Sequence, residues 1–347
     1  MFDAALGESD RLPFTIGDLD PARGFVHVLD DTMLEIVLGT LDTVGGFAAY
    51  LRAKEAFIRG GHLGYAAGEG ELLTLYLTHG STTAHAFPVS QDGAKLIVLE
   101  RHWAAFEASP ARHAQRAANA ISYAWNALIG TFETHFLAGT SEFRSHPELR
   151  DSEPALQLLA GETRTRRRYL ASQLIELVQT PIPPGRPWNV RVIAAQQLGA
   201  PAYVFLTLSR RHAESPEHYR QQRRQAIEWY LMVTRHRHPA FDPIVGIATE
   251  HFEPGATRSE DLYVLRGEDW TTSMAAEARR LHEEWGLLKH VGAFDTKVVE
   301  YPIAVEDRAA LRRLNAASNK RRGRDRNMPC PCQSGKKWKR CCGRECR

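Results

Sequence analysis

Thr180-Pro-Ile-Pro-Pro-Gly-Arg-Pro-Trp188 carries four prolines and one glycine in nine residues. Proline removes a backbone donor and fixes φ, so such a stretch continues neither a helix nor a paired strand. It marks the best internal boundary in the chain. On its N-terminal side, residues 25–30 read as a strand, and Asp30 or Asp31 is placed to cap a helix carrying Leu34, Val37, Leu38 and Leu41. A second helix follows Gly45-Gly46 with Phe47, Tyr50, Leu51 and Ile58 on one face, interrupted by Lys54, whose stem can lie along apolar surface. A third covers 70–78. Strands at 85–89 and 95–100 flank Asp92-Gly93, a hairpin turn signal. Two long helices follow: Ile121, Trp125, Leu128, Phe132 and Phe136 keep helical spacing, and 153–179 reads as one continuous helix behind Ser152.

Beyond the boundary, strands are expected near 189–194, 202–208, 244–249 and 262–265. A helix starts at Ser215-Pro216 and runs to about Arg237. Another carries Met274, Ala278, Leu281, Trp285 and Leu288, and a last strand spans 297–302. The order predicts an α+β body with helix exceeding strand, in two lobes at 1–180 and 188–305. Residues 306–327 supply a short helix and a basic linker, and 328–347 a small module of another kind. The chain has 347 residues, 43% hydrophobic and 24% charged, near the globular average, which excludes collagen-like, coiled-coil and wholly disordered classes. No apolar run approaches the roughly 18 residues of a membrane span. Met1–Phe14 has neither a basic n-region nor an apolar h-region, so a cytoplasmic protein is expected.

The net charge of +3 conceals a polarity. Residues 312–347 hold 13 Lys and Arg against two acids, hence +11, while the other 311 residues hold 31 bases and 39 acids, hence −8. A basic tail on an acidic body suits an anionic partner. All five cysteines fall between Cys330 and Cys346. A disulfide framework would spread them through the fold it staples, so clustering points to metal ligation. Cys330 and Cys332 form one close pair and Cys341 and Cys342 another, eight residues apart, with Ser334-Gly335 for the reversal between them. Soft thiolates in this arrangement favour zinc, iron–sulfur or copper(I) over magnesium or calcium.

The segment Cys330-Pro-Cys-Gln-Ser-Gly-Lys-Lys-Trp-Lys-Arg-Cys-Cys342 resembles the SEC-C motif, the zinc-binding tail first named in the bacterial translocase motor. It departs from that pattern at Gln333, where glycine is usual, and loses no ligand by it. The resemblance covers about 16 residues. It implies one structural Zn2+ held by Cys330, Cys332, Cys341 and Cys342, with no open coordination position. Cys346 falls outside the pattern. It also implies a docking element, since the translocase tail contacts a chaperone and is implicated in ribosome and lipid contacts. Lys336, Lys337, Trp338, Lys339 and Arg340 would set basic groups around one aromatic, which fits phosphates and a stacked base or an acidic protein face. An acidic protein, a ribosome or a nucleic acid is the expected partner. The stretches Gly24–Asp31, Leu41–Ile58 and Ala248–Leu265 are similar to bacterial proteins carrying the same tail, a likeness that implies no activity.

The body shows no phosphate loop, nucleophile elbow or paired-histidine zinc motif. Whether it is an enzyme is left open. Asp30-Asp31 with Glu35 can hold a divalent metal or cap a helix. Glu69, Glu71, Asp92 and Glu100, in an acidic helix followed by two strands, resemble the outline of metal-dependent nucleases, with His102 where those place a lysine. Asp30, Asp31, Glu71, Asp92 and Glu100 are thus the candidate set for a divalent-metal nuclease or phosphate hydrolase, with the tail as its targeting module. Arg164, Arg167 and Arg168 share a helix face and could clamp a phosphate, although a solvated face with a Glu162–Arg166 pair is the expected reading.

Overall fold

The computed structural model describes residues 14–16, 26–60, 63–79, 86–88, 97–99, 102–137, 153–183, 187–196, 199–210, 215–251 and 259–289. The expected strand at 297–302, the helix and linker at 306–327 and the cysteine-rich module lie outside them.

A four-stranded mixed sheet organises the body. Its strands are β5 (Trp188–Ile193), β6 (Ala202–Leu208), β7 (Ile244–Glu250) and β8 (Asp261–Leu265), in that spatial order. β6 and β7 run parallel, and each edge strand is antiparallel to its neighbour. The crossover between β6 and β7 contains α9 (Pro216–Arg237), as a parallel pair requires. The two central strands are buried along their whole length, which explains their nearly uninterrupted apolar sequences. Alternate residues of β6 serve opposite faces. Ala202, Val204, Leu206 and Leu208 meet α9 and α10 (Thr272–Glu283), while Tyr203 and Phe205 meet α6 (Tyr123–Leu137), α7 (Glu153–Gly161) and α8 (Arg164–Gln179). The body is therefore α+β, helix exceeding strand, with helices on both faces of the sheet. At Gly246 on β7, an added Cβ would stand 2.9 Å from Ile227 and 3.0 Å from Leu231, so glycine permits the close approach of α9.

α9 follows its sequence signals. Ser215 accepts from the His218 amide at 3.1 Å, Pro216 opens the first turn, and Arg235, His236 and Arg237 occupy the last, where cations suit the dipole. Residues on both sides of the proline-rich stretch share one core: Leu170 and Leu177 of α8 pack with Tyr203, Val245 and Val264.

A separate apolar cluster is built by α1 (Asp31–Thr40), α2 (Val44–Arg59) and α3 (Glu69–His79), with Phe87 and Phe106. Phe87 stacks on Phe57 at 4.6 Å. α1 turns a different face inward than expected: Met33, Val37 and Leu41 are buried, while Leu34 and Leu38 are exposed. Residues 86–88 form no strand. β4 (Ile97–Leu99) instead pairs in parallel with β3 (Leu63–Ala66), a strand the sequence reading missed, so among the described residues 86–88 do not pair with 97–99 as a hairpin would. Two helices also escaped it, α4 (His102–Glu107) and α5 (Pro110–Asn119). Near the N-terminus β1 (Phe14–Ile16) pairs antiparallel with β2 (Val26–Val28) in a short ribbon. Among the described residues no single helix is long and apolar enough to cross a membrane.

Candidate functional site

The helix expected over 153–179 is two helices. α7 stops at Gly161, and Thr163 caps α8, its hydroxyl accepting from the Arg166 amide at 3.4 Å and its carbonyl from Arg167 at 2.8 Å. Gly161 followed by Thr163 is a stop and start signal. The break matters because it converts Arg164–Arg168 from a mid-helix face into the first turn of α8, packed against α5 and α6.

These arginines are buried, contrary to the solvated face expected from the charge run. Cations at a helix N-terminus oppose its dipole, so each needs acceptors. Arg164 has a bidentate pairing with Asp42, 2.8 Å from Nε and 2.7 Å from Nη2, and also reaches Ser122 and Asn126. Its guanidinium stands 4.6 Å over the Tyr123 ring. Arg167 donates to the carbonyls of Ala160 at 2.6 Å and Glu162 at 3.0 Å, answering the orphan acceptors where α7 ends. Burial and then the neighbouring Arg164 lower its pKa. Arg168 donates to Asn119 at 3.0 Å. Glu162 does not form the expected surface pair; it accepts from the Tyr203 hydroxyl at 2.7 Å.

A cleft of about 780 Å³ opens beside this turn. Its walls are the first turns of α2 and α8, with Arg112, Gln115 and Asn119 from α5, the end of α7, and Ala194–Gln196 after β5. α2 begins at the N-cap Thr43, whose hydroxyl accepts from Gly46 at 3.1 Å. A Cβ on Gly45 would fall 1.9 Å from the Gly161 carbonyl oxygen, so only glycine lets the start of α2 press against the end of α7. Arg112 is held by Glu107 at 2.9 Å and Gln115 at 2.5 Å.

Glu162 lines the cleft, and burial pushes its carboxyl above the usual 4.5, outweighing the Tyr203 bond and the two arginines that lower it. A raised folded-state pKa means this group's stabilisation is fully present below the ordinary value and is lost as pH rises through the folded one. Glu162→Gln removes the titration while keeping an acceptor for Tyr203. The variant is expected to match the wild type below about pH 4 and to be the more stable at about pH 8. Melting temperatures across pH test this; a wild type that gains on the variant as pH rises would refute it.

The carboxylate candidates have other duties. Asp30 caps α1, accepting from the Met33 amide at 2.6 Å, and Asp31 is exposed in its first turn. Glu71 is buried and accepts from the His102 and Trp103 amides at 2.8 and 3.3 Å, capping α4 from a distance in sequence. Its neighbour Glu69 receives Lys54 at 2.8 and 3.0 Å and the Tyr50 hydroxyl. Lys54 therefore buries its ammonium completely rather than laying its stem along a surface. Asp30, Glu69 and Glu71 border one small hollow of about 170 Å³, where both oxygens of Glu69 and Glu71 and one oxygen of Asp30 already accept hydrogen bonds. Among the described residues no group of three His, Cys, Asp or Glu could hold a metal ion. Asp92 and Glu100 lie outside the described residues.

The four tail cysteines and Lys336, Lys337, Trp338, Lys339 and Arg340 also lie outside them. No curated protein and no solved structure matches the chain. Residues 326–344 match the family model described as the SEC-C motif. The chain thus carries, at 326–344, a SEC-C motif, a motif of the metal-binding type.

Proposed function

We propose that Cys330, Cys332, Cys341 and Cys342 hold one structural Zn2+ per chain, and that the module so folded docks the body to a polyanionic partner in the cytoplasm. A nucleic acid, a ribosome and an acidic protein face share that chemistry. The observation that carries the reading is the coincidence of the SEC-C motif with a +11 tail on a −8 body. Four thiolates fill a tetrahedral zinc shell, so the ion organises the surface rather than performing a reaction. Lys336, Lys337, Lys339 and Arg340 around Trp338 then form the contact face.

Fluorescence anisotropy with RNA and DNA oligonucleotides at about 50 and 200 mM salt tests the nucleic-acid case. The full chain is expected to bind with steep salt dependence. The variant with Lys336, Lys337, Lys339 and Arg340 all changed to Ala is expected to lose that binding. Equal affinity in both proteins would sink the docking role of these residues; no binding in either would direct the search to acidic proteins captured by the intact module. The nuclease or hydrolase alternative requires carboxylates available to a metal, and Asp30 and Glu71 are occupied as helix caps.

A further inference from the structure

We propose that the cleft between the first turns of α2 and α8 binds a phosphate-bearing small molecule, with the Arg166 guanidinium as its principal ligand.

Arg166 differs from the arginines around it. Arg164 is answered by Asp42 and Arg112 by Glu107. Arg166 is 2% exposed, and its Nη2 donates to the Ala194 carbonyl at 2.9 Å. Its Nη1 is buried and finds no hydrogen-bond partner among the described residues. The flat faces of Tyr169 and Tyr203 lie 5.5 and 5.9 Å from the guanidinium carbon, which fixes the plane of the group without supplying an acceptor. A buried charged donor left unanswered is costly, and an anion in the cleft that Arg166 lines removes the cost.

The surroundings select phosphate. Two sixteen-residue helices, α2 and α8, begin on the cleft wall, so the positive ends of two dipoles converge on it. Gly45 and Gly46 at the start of α2 place backbone rather than side chain at that wall. Arg52, exposed at the rim, adds a second guanidinium for a doubly charged group. Among the described residues that line the cleft, Glu162 is the one acid; it accepts from the Tyr203 hydroxyl, and burial pushes its carboxyl above the usual range. About 780 Å³ accommodates a ligand well beyond the phosphate itself.

Isothermal titration of the full chain with inorganic phosphate and with pyrophosphate tests the site. The wild type is expected to bind one equivalent. Arg166→Gln is expected to bind at least about tenfold more weakly, the loss of one charge-assisted hydrogen bond. The fourfold tail variant, Ala at Lys336, Lys337, Lys339 and Arg340, is expected to bind as the wild type does. Absence of saturable binding, undiminished binding by Arg166→Gln, or loss of binding in the tail variant would each overturn the proposal. If Arg166→Gln does not fold, Arg52→Gln at the exposed rim replaces it, with several-fold weaker binding expected and unchanged binding overturning the proposal.

Discussion

Replacing Glu69 by alanine is expected to destabilise the protein by about 3–5 kcal/mol and to loosen the core of α1, α2 and α3 before the sheet. Glu69 and Lys54 have no side-chain exposure, and their oxygen and nitrogen atoms lie 2.8 Å apart. Tyr50, itself fully buried, donates to the same carboxylate, and burial followed by the charge of Glu69 pushes its phenol well above the ordinary range. One side chain thus accepts from two buried donors, and its removal leaves an ammonium and a hydroxyl in an apolar cluster with Phe57, Leu73 and Tyr76. The penalty comes from the orphaned charge more than from the lost attraction. The double variant Lys54→Met, Glu69→Leu, which removes both charges and keeps similar volume, is therefore expected to recover most of the loss. Urea unfolding of the two variants decides the matter. A single variant within about 1 kcal/mol of the wild type, or a double variant no better than the single, would show that the pair is not the keystone of this core.

Such a pair is hard to read in a sequence. Lys54 stands on an otherwise apolar helical face, and the ordinary inference for a lone lysine is that its head escapes to water. The partner that reverses that inference is fifteen residues away, on a helix whose packing is set by tertiary structure. The same limit hid the cleft. Leu156, Leu159, Leu170, Leu174 and Leu177 keep helical spacing through residues 160–165, so periodicity joins α7 to α8. The glycine and threonine that separate them are visible, and weighing Gly161 and Thr163 as punctuation would have found the break. Arg164–Arg168 then read as solvated because nothing local shows the helices that enclose them. By contrast, β6, β7 and α9 were legible because each is locally self-consistent: apolar runs of strand length, and a Ser-Pro start with a basic last turn. β3 was not, being four residues whose strand partner among the described residues, β4, begins more than thirty positions later.

Metal removal is expected to have the largest local effect of all, confined to the tail. The module of residues 328–347 contains Met328 and Trp338 as its only large apolar side chains, far too few for a core. On the proposed ligand assignment its folding energy comes from thiolate ligation, on the order of 10 kcal/mol for a structural zinc site. Among the described residues, the body's three cores are drawn from residues between Met33 and Leu288. The purified chain is accordingly expected to carry one zinc ion. Serine at Cys330 and Cys332, or at Cys341 and Cys342, should abolish retention of the metal and make the tail rapidly cleaved in limited proteolysis, while the melting temperature of the body stays put. Cys346→Ser should keep both the metal and the protection. Zinc content and the masses of the proteolytic fragments report the two halves of this expectation separately. Retention of zinc by either double-serine variant would refute the ligand assignment. A fall in the body's melting temperature on chelation would refute the independence of tail and body, and would mean that the basic module rests against the acidic body instead of standing free to dock a partner.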